Sequence, residues 1–219
     1  MSAQDPEFIA ATRSSYDAVA GLYGAHHPDG LGDRPLERGL LGTFAELVRA
    51  GGTASVADLG SGPGHVTARL HALGLPVFGV DVSPRMVEPA RRAHPELRFH
   101  VGSLTALDLP DGSLGGIVAL DSIIHVPDAH LPGAFAGFRR VLAPGGQVLL
   151  AFQSGDKEER LHLAERFGRQ ISLDHYWRTP QTVAGHLAEA GLRTRVRLLR
   201  EPYGDETRPR AYLLADKPA

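Results

Sequence analysis

The sequence contains no cysteine among its 219 residues. Without a thiol the chain has no disulfide framework, no thiolate nucleophile and no cysteine-ligated zinc site. It also lacks any stretch near the roughly 18 consecutive apolar residues that a membrane-spanning helix needs. Residues 1–20 carry scattered charges and no apolar segment, so we expect no signal peptide. Together these absences favour a cytoplasmic protein without a membrane partner.

An excess of one charge sign is lacking as well. Twenty-three lysines and arginines nearly balance 25 acidic residues, which leaves a formal net charge of −2. This balance removes the main reason to expect a nucleic-acid partner, although a local basic patch stays possible. With 42% hydrophobic residues, the composition is that of a globular domain with a sizeable core. We expect one domain over residues 1–219, acting as a monomer or a homodimer.

Strands and helices alternate along most of the chain. Helices are predicted at 7–24, 35–49, 65–73, 129–142 and 180–190, with a further helix that begins at Pro84, and strands at 55–59, 77–81, 97–101, 117–120, 147–152, 194–199 and 211–215. The last two strands are joined by a turn-rich segment and are most simply an antiparallel pair. This pattern predicts an α/β fold with a doubly wound, seven-stranded, mostly parallel sheet and an antiparallel C-terminal strand.

The stretch 56–67 is predicted to be a buried strand, a glycine turn and the first turn of a helix. Gly60, Gly62 and Gly64 follow one another at two-residue spacing. Glycine permits positive φ and lets the backbone approach a ligand closely. A helix that begins after the turn directs free N–H groups and a positive dipole end at that ligand. The first hypothesis is therefore a nucleotide-like cofactor.

Three acidic and glycine positions narrow the choice of cofactor. A dinucleotide-binding turn has its third glycine where this chain has His65. Asp58 precedes the turn, where a carboxylate repels a pyrophosphate but suits a cationic amine. Asp81 closes the next strand and can accept hydrogen bonds from ribose hydroxyls. S-adenosylmethionine, with its adenosine, diol and charged amino acid part, satisfies all three observations.

These motifs resemble those of the class I S-adenosylmethionine-dependent methyltransferases, in the Rossmann-like type 11/25 group. The resemblance runs from Val56 to Phe152 and rests on D-L-G-S-G-P-G at 58–64, G-V-D-V-S-P-R-M at 79–86, G-S-L at 102–104 and L-A-P-G-G at 142–146. It implies methyl transfer to a small-molecule acceptor, on oxygen or nitrogen, with natural-product metabolism as a typical setting. Ser103 departs from the pattern, because the family often has Asp there.

The resemblance also implies a set of cofactor-binding residues. They are Tyr16, Tyr23, Asp58, Gly60, Ser61, Gly62, Gly64, Asp81, Val82, Met86, Gly102, Ser103, Leu104, Asp121 and Ser122. Met86 would pack on the adenine, or else fill the core. The two tyrosines would belong to a helical lid, or else to plain aromatic packing. The implied parts are a lid at 1–50, a cofactor-binding core at 51–152, a cap insertion at 153–179 and a C-terminal helix and strand pair at 180–219.

Candidate catalytic groups follow the fourth strand. His125 is the first candidate for a general base, since the ordinary pKa of histidine lies near neutrality; capping or packing is its alternative. Asp121 is a second candidate, or else a partner for loop N–H groups. His26 and His175 come behind them. Because His26 and its neighbour His27 diverge on most backbones, we predict no metal site.

The insertion at 153–179 is polar, and we expect it to be partly helical, with a β-like segment at 170–173. Its cluster at 174–178 suits an anionic or aromatic acceptor, or else forms a surface hinge packed by Trp177. Two other functions stay open for the whole chain. One is an S-adenosylmethionine- or S-adenosylhomocysteine-binding protein with a non-methylating or regulatory role. The other is an RNA or protein methyltransferase, against which the charge balance weighs.

Overall fold

The structure is a computed structural model that describes residues 6–26, 31–32, 34–52, 54–204 and 206–219. The helices in these ranges are α1 (Glu7–His26), α2 (Pro35–Ala50), α3 (His65–Ala72), α4 (Pro84–Ala93), α5 (Leu131–Val141) and α6 (Pro180–Glu189). The strands are β1 (Ser55–Leu59), β2 (Val77–Asp81), β3 (Arg98–Val101), β4 (Leu114–Leu120), β5 (Leu142–Gln153), β6 (Glu159–Arg166), β7 (Arg169–Trp177), β8 (Arg193–Arg200) and β9 (Arg210–Asp216). A short 3₁₀ turn, Ile123–His125, follows β4. None of the described helices combines the length and apolar character that a membrane-spanning segment needs.

Seven strands form one sheet in the order β3-β2-β1-β4-β5-β9-β8. Strands β1 to β5 pair in parallel, whereas β9 runs antiparallel to both β5 and β8. This confirms the predicted doubly wound sheet and its antiparallel C-terminal strand. The chain winds from β1 towards β3 and then returns to place β4 on the other side of β1. Ligands of such sheets bind beyond the carboxyl ends of the strands at this reversal.

Both faces of the sheet are covered by apolar side chains. Ile117 of β4 belongs to a core with the α5 and α6 helices, which includes Phe138. Its neighbour Val118 belongs to the opposite core, where Phe44 of α2 packs. Adjacent strand residues point to opposite faces, so the continuous apolar run of β4 serves both cores at once.

Two helices begin at the side-chain caps that the sequence predicts. The Ser83 hydroxyl accepts a hydrogen bond from the backbone N–H of Met86 at 3.1 Å, at the start of α4. The Thr179 hydroxyl accepts one from Thr182 at 3.1 Å, at the start of α6. These bonds satisfy N–H groups that have no partner inside the helix. The α4 cap matters for the site, because it fixes the chain directly after Asp81.

The insertion is a β-hairpin, and the expectation of partial helix was wrong. Strands β6 and β7 pair antiparallel around a two-residue turn, Phe167-Gly168, with φ values of 52° and 71°. Two consecutive residues with positive φ match the right-handed twist of paired strands and exclude a helix. The β-like segment at 170–173 lies inside β7, as predicted. The hairpin packs on α1, where the Ser15 hydroxyl donates to the Ser172 carbonyl at 2.9 Å.

Candidate active site

A cleft opens at the carboxyl ends of β1, β2 and β4, beneath helix α1. It holds about 1240 Å³ of space that no protein atom fills, which includes open solvent at its mouth. The predicted site residues that line it are Tyr16, Tyr23, Gly60, Ser61, Gly62, Asp81, Val82, Met86, Gly102, Ser103, Leu104, Asp121, Ser122 and His125. Most of the predicted set therefore meets in one place.

Sequence reasoning missed several residues of the cleft wall. They include Phe8, Ile9, Thr12, Leu31, Arg34, His65, Thr105 and Val126. The only signal for those on α1 was the helical spacing of its apolar residues, which does not say what the helix covers. Arg34 and Leu31 lie between two helices and carried no motif.

The glycine turn is shaped by two different needs. Gly60 has φ of 79°, and a Cβ there would lie 2.4 Å from the Cβ of Ser122, so β1 and β4 can approach only with glycine at this position. Gly62 has φ of 52°, and a Cβ there would meet nothing within 4 Å. The backbone of Gly62 is therefore open to a ligand. Gly64, with φ of 93°, is the N-cap of α3 and is not among the residues that line the cleft.

Asp81 is held at the cleft by two backbone amides. One carboxylate oxygen accepts from the N–H of Gly62 and the other from the N–H of Ser83, each at 2.8 Å. Burial raises the pKa of Asp81, and the two amide bonds oppose that rise. The carboxylate is fixed in orientation, and its remaining lone pairs can accept from ligand hydroxyl groups.

Asp58 lies beneath the turn rather than on the cleft wall. Its side chain accepts a hydrogen bond from the Thr67 hydroxyl at 2.6 Å and is only 2% exposed. Burial raises the pKa of Asp58 to about 7, despite the bond from Thr67. The described contact ties β1 to α3, and the predicted contact with a ligand amine stays a prediction.

Part of the cleft wall is apolar. Met86, Leu104 and Val126 line it, together with Ile9 of α1. Met86 is 1% exposed, so it also serves as core. The Ser103 hydroxyl is 2.8 Å from the Thr105 hydroxyl and thus takes part in its own loop. A flat aromatic ring such as adenine fits against such a wall.

The β4 side of the cleft rests on a network of charged groups. Asp121, at φ of 55°, accepts a hydrogen bond from the Arg210 guanidinium at 2.8 Å. The Nε atom of Arg210 lies 3.5 Å from the Glu37 carboxylate, which also accepts from the Tyr212 hydroxyl at 2.6 Å. Arg210 is only 4% exposed. The network joins β4, α2 and β9 behind Asp121, and no sequence motif pointed to it.

His125 connects three elements through one buried ring. Its Nδ1 lies 2.9 Å from the carbonyl oxygen of Asp174, which can only accept, so Nδ1 carries the proton. Its Nε2 therefore accepts from the Tyr16 hydroxyl at 2.8 Å. Burial, and next the nearby His175, lowers the pKa of His125 to about 3. The imidazole is neutral with both nitrogens engaged, and the base role stays a prediction.

The other candidate groups of the sequence analysis lie elsewhere. His175 packs against His125 with ring centroids 4.7 Å apart and is not among the residues that line the cleft. Burial lowers the pKa of His175 to about 4. His26 ends α1, but its side chain, like all of His27, lies outside the described residues.

The predicted cluster at 174–178 splits between two sides of the hairpin. Asp174 pairs with Arg160 at 2.7 Å and His162 at 2.9 Å, on the exposed face of the hairpin. Arg178 is 1% exposed and donates to Asp128 at 2.7 Å and to the carbonyl of Ile123 at 3.1 Å. Arg178 therefore anchors the 3₁₀ turn that carries His125, and its guanidinium is not free for an acceptor.

Four buried polar atoms on the cleft wall lack a hydrogen-bond partner among the described residues. They are Ser61 Oγ, His65 Nε2, Asp121 Oδ1 and Ser122 Oγ. Buried polar groups are nearly always paired, so this concentration indicates a site built for a polar ligand. Together with the open Gly62 backbone and the fixed Asp81 carboxylate, the residues present fit S-adenosylmethionine.

Comparison with known proteins supports the same cofactor. Residues 56–146 match the model of a methyltransferase domain family. An uncharacterised methyltransferase of Mycobacterium tuberculosis is 34% identical over 119 residues, 54% of this chain and 47% of the relative. A malonyl-[acyl-carrier protein] O-methyltransferase of Erwinia pyrifoliae is 30% identical over 146 residues, 65% of this chain and 55% of the relative. The chain thus spans about half the length of the curated relatives it matches.

A solved structure extends the likeness to nearly the whole chain. The 1,6-didemethyltoxoflavin-N1-methyltransferase of Burkholderia thailandensis, solved with 1,6-didemethyltoxoflavin and S-adenosylhomocysteine, has a TM-score of 0.73. It is 20% identical, and the match covers 99% of this chain and 92% of the other. At that identity the likeness concerns the fold. The matched domain, the named relatives and this sheet order together support a class I S-adenosylmethionine-dependent methyltransferase.

Proposed function

We propose that the protein transfers the methyl group of S-adenosylmethionine to a small-molecule acceptor, on oxygen or nitrogen. The observation that carries this proposal is the Asp81 carboxylate fixed on the Gly62 amide, beside an open glycine turn at the sheet reversal. The Burkholderia enzyme, solved with a small molecule and S-adenosylhomocysteine, supports a similar acceptor class. The near-neutral charge of this chain supports it as well.

In this proposal the strand order determines which residues take which part of the cofactor. Asp81 would accept from the ribose hydroxyls, with Met86 and Leu104 against the adenine, on the β2 side. The glycine turn of β1 would hold the amino acid part, and Ser122 would lie nearest the sulfur, on the β4 side. When bound, the cofactor supplies a methyl group on a good leaving group. The protein then aligns the acceptor and excludes water beneath α1. This alignment supplies most of the rate acceleration.

Cofactor binding is the direct test. We expect calorimetry to show binding of both S-adenosylmethionine and S-adenosylhomocysteine, and Asp81→Ala to weaken both by about 100-fold, since two hydrogen bonds to a carboxylate are lost. Asp111→Ala is the matched control, because Asp111 is an exposed partner of Arg140 far from the cleft. A wild-type protein that binds neither ligand would refute the proposal. Formation of S-adenosylhomocysteine with panels of small phenols, amines and carboxylates, and with RNA, then separates the acceptor classes.

We further propose that His125 positions Tyr16 rather than acting as the base. Its protonated Nδ1 is committed to Asp174, so Nε2 accepts a hydrogen bond from the Tyr16 hydroxyl, and the phenol oxygen can accept from a ligand as well as from Arg166. An imidazole with a pKa of about 3 also has too little affinity for a proton to act as an effective base at neutral pH. Tyr16 would then orient a hydrogen-bond donor of the acceptor or the cofactor.

Two amide substitutions separate the positioning role from the base role. The Gln carbonyl of His125→Gln can replace Nε2 and accept from Tyr16, whereas the amide of His125→Asn reaches only the Asp174 side. We expect His125→Gln to keep kcat within about threefold and His125→Asn to lose about tenfold or more, roughly the value of one hydrogen bond. His125 should contribute no limb to the wild-type pH profile from pH 5 to 8, because it stays neutral there, and a limb near pH 7 that persists in His125→Gln belongs to Asp58. Equal loss in both variants, with a wild-type limb near pH 6.5 that both variants lack, would show a base instead.

A further inference from the structure

The tip of the β6–β7 hairpin places a guanidinium against aromatic rings beside the cleft. The Cζ atom of Arg166 lies 5.9 Å from the ring centre of Tyr16, 5.5 Å from that of Tyr23 and 5.1 Å from that of Phe167. Tyr16 and Tyr23 both line the cleft. No carboxylate of the described residues forms an ion pair with Arg166, in contrast to Arg160 on the same strand.

A second guanidinium, that of Arg34, lies on the cleft wall and also acts on Tyr23. Arg34 is the only arginine or lysine among the residues that line the described cleft. Its nearest carboxylate, Asp121, is 3.9 Å away, and the Arg34 side chain is 35% exposed. Asp121 is already bonded to Arg210 at 2.8 Å. Arg34 is therefore only weakly engaged within the described protein.

Tyr23 lies in the field of both arginines. Burial raises the pKa of its hydroxyl, and the charges of Arg166 and Arg34 each oppose that rise. The imidazoles nearby add no charge, since burial keeps His125 and His175 neutral at pH 7. The carboxylates of Asp121 and Asp81 also act on Tyr23 and raise its pKa, so the two guanidinium groups are the cationic partners at this end of a cleft of mixed charge.

We propose that the methyl acceptor carries an oxyanion, a carboxylate or a phosphate, that binds between Arg34 and Arg166 beside Tyr23. This inference rests on the proposed function, because it assigns the substrate class of the same cleft. Guanidinium groups pair with carboxylates and phosphates through parallel N–H donors. Two guanidinium groups bind an anion more tightly than one does. Aromatic walls at Tyr16 and Tyr23 suit a flat body behind the anionic group. The hairpin is then a specificity element of the site.

Small anions in the presence of S-adenosylhomocysteine test the inference. The protein saturated with S-adenosylhomocysteine is titrated with benzoate, with inorganic phosphate and with neutral benzamide, which has the shape of benzoate without its charge. We expect one or both anions to bind more tightly than benzamide. The anion that binds more tightly indicates whether the acceptor carries a carboxylate or a phosphate. Arg166→Gln and Arg34→Gln should each weaken the binding of that anion by about tenfold or more, while the affinity for S-adenosylhomocysteine stays unchanged.

Arg169→Gln is the matched control, because Arg169 pairs directly with Arg166 in the hairpin register and is exposed. It should leave anion binding unchanged. Anions that bind no better than benzamide, or equally well to both glutamine variants and the wild type, would overturn the inference. A protein that fails to bind S-adenosylhomocysteine in the first place would instead refute the proposed function. Comparing Arg34→Gln with Arg166→Gln separates anion recognition from a local change in hairpin folding.

Discussion

Gly60→Ala is expected to weaken S-adenosylhomocysteine binding by about 100-fold or more. The new Cβ would lie 2.4 Å from the Cβ of Ser122, an atom fixed directly to the backbone just after β4. Either the glycine turn or the end of β4 must move, and both line the cleft. The φ of 79° adds backbone strain that alanine tolerates poorly. Calorimetry measures the affinity, and thermal unfolding shows whether the fold survives.

Gly74→Ala is the matched control for this substitution. Gly74 has a closely similar φ of 82°, but a Cβ there would meet nothing within 4 Å. It should lose about 1 kcal/mol of stability from backbone strain and keep its full affinity. Adding Ser122→Gly to Gly60→Ala removes the clashing atom and should restore much of the binding. A Gly60→Ala protein with wild-type affinity would show that the turn does not hold the cofactor.

Arg210→Met is expected to lower the free energy of unfolding by about 3–5 kcal/mol. The substitution leaves the Glu37 carboxylate, only 5% exposed, with the Tyr212 hydroxyl as its one remaining described polar contact. It also removes the closer arginine partner of Asp121, which holds a positive φ at the end of β4 and keeps only Arg34 at 3.9 Å. Urea denaturation measures the loss. Cofactor affinity should fall as well, because Asp121 belongs to the cleft wall.

Arg92→Met provides the comparison. Arg92 pairs with Glu88 one turn earlier in α4, but both side chains are about two-thirds exposed, so its loss should cost no more than about 1 kcal/mol. The double variant Arg210→Met with Glu37→Leu should recover part of the stability, because an apolar pair replaces a stranded carboxylate. A cost below about 1 kcal/mol for Arg210→Met alone would mean that water reaches Glu37 and replaces the guanidinium.

Residues close in sequence explain what could be predicted about this protein. The strand before Gly60, the caps at Ser83 and Thr179 and the alternation of strands with helices depend on neighbours within a few positions. Short-range steric and hydrogen-bonding preferences therefore determine the elements, and their alternation determines the doubly wound sheet. The carboxyl ends of the strands then bring Asp81 and Asp121 to one edge without further information.

The hairpin shows where local patterns were insufficient. Residues 153–179 are polar on both sides of a Phe-Gly turn, so their periodicity does not separate strand from helix. They form strands because β7 packs on the α1 helix, where Ser172 contacts Ser15, 157 positions away in the sequence. Packing of this kind is decided by partners that sequence distance does not reveal.

By itself the sequence determined the glycine turn, the position of Asp81 at the end of β2, the cofactor family and the order of helices and strands. Only the tertiary structure decided that His125 lies buried between Tyr16 and Asp174, and that Arg166 rather than Arg178 lies beside the cleft tyrosines. The physical reason is burial. The protonation state of a side chain and its freedom to meet a ligand depend on desolvation and on partners that only the folded chain assembles.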